Sequence, residues 1–168
     1  MPDTDILSLP RWNELPPMDL YLDQMLQFVN TSIGKYFEGF GQANHPIITG
    51  TMVNNYVKLE FIKPPVKKRY DRSAVASLLV IALLKSIFTM DEISRLIHRA
   101  VTETEPSRSY DSFCDKLEYA VSDVFGNNAV GISNAKNDPA DPRRICLNAC
   151  YSFAAQYYIK KIFLNSAM

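Results

Sequence analysis

The sequence predicts an all-α fold. Three observations carry that expectation: apolar residues recur at helical spacing in successive stretches, capping residues stand where those stretches begin, and no run outside one short turn alternates as a half-buried strand would. With 168 residues, 47% of them apolar and 21% charged, the chain is long enough for one domain with a substantial core, or for a small domain with a helical extension. Disorder does not fit that composition.

The first residues carry Pro2, Pro10, Pro16 and Pro17, which fix the backbone and remove donors, so an extended arm is expected, anchored by Trp12. From Met18 the positions Tyr21, Leu22, Met25, Val29, Ile33, Tyr36 and Phe37 follow helical spacing, which predicts one long amphipathic helix over 18–37. Gly39, Gly41, Asn44 and Pro46 mark a loop. Thr49 or Thr51 can cap a short helix running to about Leu59, and Pro64-Pro65 then forces an extended segment and a turn through Val66 to Arg69, the one place where a short strand is expected.

Asp71 or Ser73 caps the next helix, which is apolar nearly all round from Ala74 to Phe88 and therefore reads as the buried core helix. Thr89-Met90-Asp91-Glu92 is a capping box opening a helix whose inner face is Ile93, Leu96, Ile97, Ala100 and Val101. Ser109 can cap a further helix with Tyr110, Phe113, Leu117, Val121 and Val124 inside and Gly126 at its end. After a polar loop over 127–138, Asp141-Pro142 places a capping acid before a first-turn proline, and the pattern runs helical to about Leu164.

Charge is segregated. Within 51–72, Lys58, Lys63, Lys67, Lys68, Arg69 and Arg72 face only Glu60 and Asp71, a local balance of +4 in a chain of net charge 0, so the remainder carries −4. A local basic footprint suits nucleic acid, while a neutral total disfavours indiscriminate polyanion binding. The bland alternative is a solvated surface turn. Asn54 and Asn55 weigh against it, because their paired donor and acceptor atoms match the N6 and N7 edge of adenine. The ring of Tyr56 falls beside Val53 and Leu59 and reads as core. Lys67, Lys68 and Arg69, on a turn pre-set by the prolines, are expected to reach phosphates and so to position rather than specify.

Other chemistry finds little support. Cys114, Cys146 and Cys150 form neither an even disulfide set nor a Cys-x-x-Cys motif; Cys146 and Cys150 lie one helical turn apart but nothing completes a metal set, so they read as buried structural thiols. His45 and His98 have no nucleophile and orienting acid at motif spacing, and Glu103, Glu105, Asp111 and Asp115 read as caps and solvated charge, so no enzyme and no cofactor are expected. The longest apolar run, Ala74 to Leu84, falls short of the roughly 20 residues that cross a bilayer. Asp3 and Asp5 stand where a secretory signal would be basic, and a cytoplasmic protein without membrane contact is expected.

The ordered series of a short helix ending in Tyr56, then Phe61-Ile62-x-Pro64, a basic turn closing on Arg69-Tyr70-Asp71, a helix with Leu78, Ile81 and Leu84, and Met90-Asp91-Glu92-Ile93 at the next helix start resembles the MerR-type helix-turn-helix over about Thr49 to Ile97. The whole chain, from Leu9-Pro10-Arg11-Trp12 and Asp19-Leu20-Tyr21 through Met52-Val53-Asn54-Asn55-Tyr56-Val57-Lys58 and Pro65-Val66-Lys67-Lys68-Arg69-Tyr70, looks like a bacterial domain-of-unknown-function family suspected of gene regulation. The resemblance implies a MerR-like winged helix-turn-helix, with the helix ending near Lys58 as recognition helix and 63–70 as a short wing. This sequence departs from the pattern at two positions: Asn54 stands where that family usually has an arginine, and Glu60 where it usually has glycine, which predicts a weakened left-handed helix exit. The usual first helix is not found at its place, where the loop over 39–46 lies, and helix 18–37 is the candidate to substitute by packing.

The expected organisation is an N-terminal arm and amphipathic helix over 1–38, a DNA-binding unit over 39–102, and a C-terminal helical pair over 103–168 for dimerisation or effector response. Expected DNA contacts are Thr51, Asn54, Asn55, Lys58, Lys63, Lys67, Lys68, Arg69, Tyr70 and Arg72, with double-stranded DNA the partner and a homodimer the binding form. The apolar surface of Cys146, Ala149, Cys150, Phe153, Ala154, Tyr157 and Tyr158 exceeds one core stripe, so some of it is expected to pair with a second protomer. Arg143-Arg144 at the start of the last helix is expected to be offset by Asp138 and Asp141. The competing functions are a protein-interaction module docking an acidic partner through the basic turn, and a small-molecule sensor with Phe113, Tyr151, Phe153 and Tyr157 around the effector.

Overall fold

A computed structural model of the chain describes residues 7–38, 45–126 and 140–164, in which six α-helices and one small antiparallel sheet follow the order β1 (Leu20–Tyr21), α1 (Leu22–Gly34), α2 (Gly50–Lys58), β2 (Arg69–Tyr70), α3 (Arg72–Leu84), α4 (Met90–Glu103), α5 (Pro106–Val124) and α6 (Pro142–Tyr158). Helices α2, α3, α4 and α6 each begin where a side chain accepts from an orphan backbone donor. A 3₁₀ turn at Trp12–Glu14 precedes β1, and a π-helical turn at Ile159–Leu164 continues α6. The expected loops at 39–44 and 127–138, Asp138, the start of the N-terminal arm and the side chain of Val101 lie outside the described residues.

The chain forms two compact units, Pro10–Ile97 and a second made of Met1–Leu9 with His98–Met168. In the first unit α1 packs against α2, α3 and β2, burying Met25, Val29 and Ile33, so the amphipathic helix belongs with the basic segment rather than apart from it.

Residues 18–21 do not join α1. Leu20 and Tyr21 pair with Tyr70 and Arg69 in antiparallel register, so the pattern that looked like the first turn of a helix is a two-residue strand followed by a helix. Tyr21 begins α1 without a side-chain cap of its own, and Gln24 reaches back to its backbone nitrogen at 3.0 Å. Trp12 is only half-buried; the buried anchors of the N-terminal segment are Leu7, Leu9 and Leu15.

Thr49 caps α2, its hydroxyl accepting from the Met52 nitrogen at 3.3 Å, and Asp71 caps α3, accepting from the Ala74 nitrogen at 2.8 Å. Helix α3 is buried nearly all round, with Leu78, Leu79, Ile81 and Leu83 fully enclosed, and ends four residues before Phe88. The capping box forms: the Thr89 nitrogen donates to Glu92 at 2.8 Å and the Glu92 nitrogen to the Thr89 hydroxyl at 3.3 Å. Those bonds hold the Glu92 carboxyl below its usual range.

In the second unit α5 starts at Pro106, earlier than the Ser109 cap predicted, and Ser109 instead donates from its hydroxyl to the Ala100 carbonyl at 2.9 Å. Proline without an N–H is suited to that first turn. Gly126, at φ 76°, ends the helix in the left-handed region. Helices α5 and α6 pack together, and Ala149, Cys150, Phe153, Ala154 and Tyr157 are buried there. Of the apolar face of α6, these five are thus core of the chain itself, while Tyr158 is exposed and Cys146 half-buried. Phe113, Phe153 and Tyr157 are core residues for the same reason. Asp141 caps α6 through the Arg143 nitrogen at 2.9 Å and also binds the Arg143 guanidinium at 3.0 Å, which offsets the cation at the positive helix end. Among the described residues no helix is long and apolar enough to cross a membrane.

Candidate nucleic-acid interface

Helix α2 turns one face inward and the other to solvent. Val53 and Tyr56 are buried, and burial pushes the Tyr56 hydroxyl pKa up. Thr51, Asn54, Asn55 and Lys58 are all exposed. Their spacing of three, four and seven residues places them in one strip along the helix.

The lead into α2 is fixed from two sides. Asn30 of α1 donates from Nδ2 to the Ile48 carbonyl at 2.9 Å and accepts on Oδ1 from the Ile48 nitrogen at 3.0 Å. Lys85, at the end of α3, donates from Nζ to the Ile47 carbonyl and approaches the Met52 sulfur at 3.7 Å. Burial lowers the Lys85 pKa. These contacts set where α2 stands on α1 and α3.

The exit from α2 is left-handed although the residue there is not glycine. Glu60 has φ 61°, its nitrogen donates to the Val57 carbonyl at 3.1 Å, and the Phe61 nitrogen donates to the Tyr56 carbonyl at 2.9 Å. These two bonds are the Schellman pattern. The exit expected to be weakened by Glu60 forms, with the acid bearing a backbone conformation that costs roughly 1–2 kcal/mol in a non-glycine residue.

Beyond Pro64-Pro65 the chain makes a hairpin closed by two reciprocal bonds, Val66 nitrogen to Arg69 carbonyl and Arg69 nitrogen to Val66 carbonyl, each 2.9 Å. Lys67 and Lys68 form its two-residue tip, at φ 49° and 65°. A tip with positive φ at both central residues has the signature of a type I′ turn, for which Asn-Gly is the favoured pair. Here two lysines occupy it, both exposed.

The hairpin is held by the sheet below. Tyr70 is buried at 5% exposure, and burial raises its hydroxyl pKa, so it supports the hairpin from inside and is not one of the surface contacts it was expected to be. Arg69 donates to the Tyr21 hydroxyl at 3.1 Å, and its guanidinium lies 4.7 Å from the centroid of the ring across the strand pair. Arg72 is half-buried, donates from Nε to the Pro16 carbonyl at 3.3 Å and lies 5.8 Å from the Trp12 ring centroid. Both arginines are therefore engaged within the unit. Among the described residues, Asn54, Asn55, Lys58, Lys63, Lys67 and Lys68 have no side-chain hydrogen-bond or ionic partner.

Sequence reasoning missed Asn30 and Tyr21. Helical spacing places Tyr21 on a helix face whereas it pairs in β1, and Asn30 pairs with a backbone 18 positions away, for which no local pattern exists.

No curated protein and no solved structure matches this chain. A family model, described as a domain of unknown function (DUF1836), matches residues 10–114, which takes in the whole Pro10–Ile97 unit and the first half of α5. With well over half of its length matched, the chain belongs to the DUF1836 family.

Proposed function

We propose that this protein is a sequence-specific DNA-binding transcriptional regulator whose Pro10–Ile97 unit works as a MerR-like winged helix-turn-helix. In this reading α1 and α2 are the helix pair, α2 enters the major groove, and the Val66–Arg69 hairpin is the wing on the phosphates. The observation that carries it is the placement of two strained lysines at the hairpin tip. A non-glycine residue in the left-handed region costs roughly 1–2 kcal/mol, and a pair retained where Asn-Gly would relieve that strain points to a use for the charge.

The exposed strip of α2 agrees with the same use. Asn54 and Asn55 can each pair with an adenine edge, a contact worth ~1–3 kcal/mol in discrimination, and Thr51 and Lys58 flank them within reach of the backbone. Arg69 and Arg72 stiffen the wing and its junction with α3. The phosphate contacts then fall to Lys58, Lys63, Lys67 and Lys68.

A homodimer on a pseudo-palindrome is the proposed binding form. Four lysines from each protomer would give a log-log salt slope of about −7. The test is retention of random-sequence duplexes at two salt concentrations, followed by sequencing. Enrichment of a palindrome with steep salt dependence supports the reading; no retention at low salt overturns it and directs the search to an acidic protein partner.

A further inference from the structure

The end of α6 and the π-helical turn that continues it leave a broad apolar patch open. Tyr158, Ile159, Ile162, Phe163 and Leu164 are all exposed, Phe163 by 69% and the other four by between 38% and 52%. With roughly 150–250 Å² in a whole aromatic side chain and less in an aliphatic one, the patch is on the order of 400–500 Å². Patches of that size on a protein surface commonly mark a site of association. Among the described elements, only α6 itself packs substantially on Ile159–Leu164.

The backbone sorts these residues from their charged neighbours. In a π-helical turn the hydrogen bonds span five residues, so Leu164 returns to nearly the same side as Ile159. At the ~100° per residue of an α-helix it would instead stand ~140° away, between Lys160 and Lys161. Phe163 falls beside Ile159 and Leu164, and Ile162 borders Phe163. The lysines take the remaining arc, and Lys161 is turned back on α6: its Nζ donates to the Tyr157 hydroxyl at 3.2 Å and lies 5.4 Å from the centroid of that ring. Tyr158 is steadied at the other end of the strip, its ring edge-on to Phe125 with centroids 5.1 Å apart.

We infer that this strip is the surface on which a second copy of the chain docks, strip against strip across a two-fold axis. An uncharged face can meet its own image without setting like charges against each other, as a charged one would at such an axis. Homodimer interfaces have apolar, charge-depleted centres anchored by aromatic side chains, the role open to Phe163 and Tyr158. A membrane surface is the poorer match, because anionic lipid is gripped by lysines beside an apolar face and Lys161 is committed to Tyr157. The patch supplies about half of the ~800 Å² that each partner buries in a stable interface, leaving the rest to a polar rim. The homodimer of the proposed function thereby gains a surface at the end of α6, and only the expectation of a dimer is taken from that reading.

The test is sedimentation equilibrium of the intact chain across a dilution series, with no duplex present. A monomer–dimer equilibrium insensitive to salt is expected. Phe163→Asp, and separately Leu164→Asp, should raise its dissociation constant at least about a hundredfold, because each of the two copies loses apolar burial worth about tenfold. Both side chains are exposed, and circular dichroism confirms that the variants fold. Hydrogen exchange on the intact chain reads the same surface without a variant: the amides of Ile159–Leu164 should gain protection as concentration rises. A chain that is monomeric at every concentration overturns the proposal, and if that monomer sediments with vesicles of anionic lipid, the strip belongs to a membrane surface. A dimer left unchanged by both folded variants also overturns it. Dimerisation through the strip by a chain that retains no duplex upholds the proposal and counts against the DNA reading alone.

Discussion

Asn30 grips the backbone of Ile48 with both halves of its amide, donating to the carbonyl and accepting from the nitrogen, as one strand would pair with another. Ile48 is 1% exposed, so neither backbone group has water to fall back on. Asn30→Ala should destabilise the unit by about 2–4 kcal/mol, since each orphaned buried group costs ~1–3 kcal/mol. The measurement is urea unfolding of both proteins. A loss under 1 kcal/mol with an unchanged slope would mean that the clamp is incidental.

On the proposed function, the lysine hairpin should separate folding from binding. Lys67→Asn with Lys68→Gly places the favoured pair at a tip where φ is positive at both positions, relieving strain of roughly 1–2 kcal/mol per residue, against the ~0.5–1 kcal/mol of extra chain entropy that glycine loses on folding. Stability should rise by about 1 kcal/mol while duplex affinity falls. Opposite signs in the two assays are the signature of strain kept for binding; a fall in both would show the lysines to be structural.

Alkaline pH should unfold the protein by releasing buried phenols. Burial raises the hydroxyl pKa of Tyr56, Tyr70 and Tyr151 above 10.0, and the Asp123 carboxylate, 2.7 Å from the Tyr151 hydroxyl, raises that group further. A group whose folded pKa is raised contributes stability that is complete below its unfolded pKa and lost as pH rises through the folded value. Lys85 has the opposite sign, because burial lowers its pKa from 10.5, so its share is recovered as pH rises toward that value. With three phenols against one ammonium, the denaturation midpoint should fall once pH passes about 10. Phenolate absorbance during the titration reads this directly, and Tyr151→Phe should flatten the upper part of the fall.

The legible parts of the fold were those governed by near neighbours. Thr49, Asp71, Thr89 with Glu92, and Asp141 cap helices as their local sequence requires, and the apolar stretch of α3 could be placed only in a core. Tyr56 was readable as core because Val53 fixes the inward face of α2. What stayed hidden depends on distant partners. A two-residue strand such as Leu20–Tyr21 has no period to display, and it exists only because Arg69 and Tyr70 pair with it. The lysine tip carries neither glycine nor asparagine, so its left-handed backbone had no compositional signal. The broad apolar face of α6 could not be assigned to α5 rather than to a second protomer, since pattern alone gives a face and not its occupant.

The exposed strip of α2 and the hairpin tip should divide the work of binding. Asn54 and Asn55 are neutral and stand on a helix, so replacing both by alanine would remove the proposed base-edge contacts without changing charge. Discrimination between DNA sequences should shrink by ~1–3 kcal/mol for each reader that makes a bidentate contact, with the salt slope unchanged. On the proposed function, Lys67→Ala with Lys68→Ala removes charge without touching the base readers, so all duplexes should weaken together and the slope of a homodimer should flatten by about 2 for each lysine replaced, one contact being lost in each protomer. Competition binding against matched and scrambled duplexes across a salt series measures both quantities in one experiment. If the two pairs reduce affinity and slope alike, α2 is another stretch of charged surface and not a reading helix.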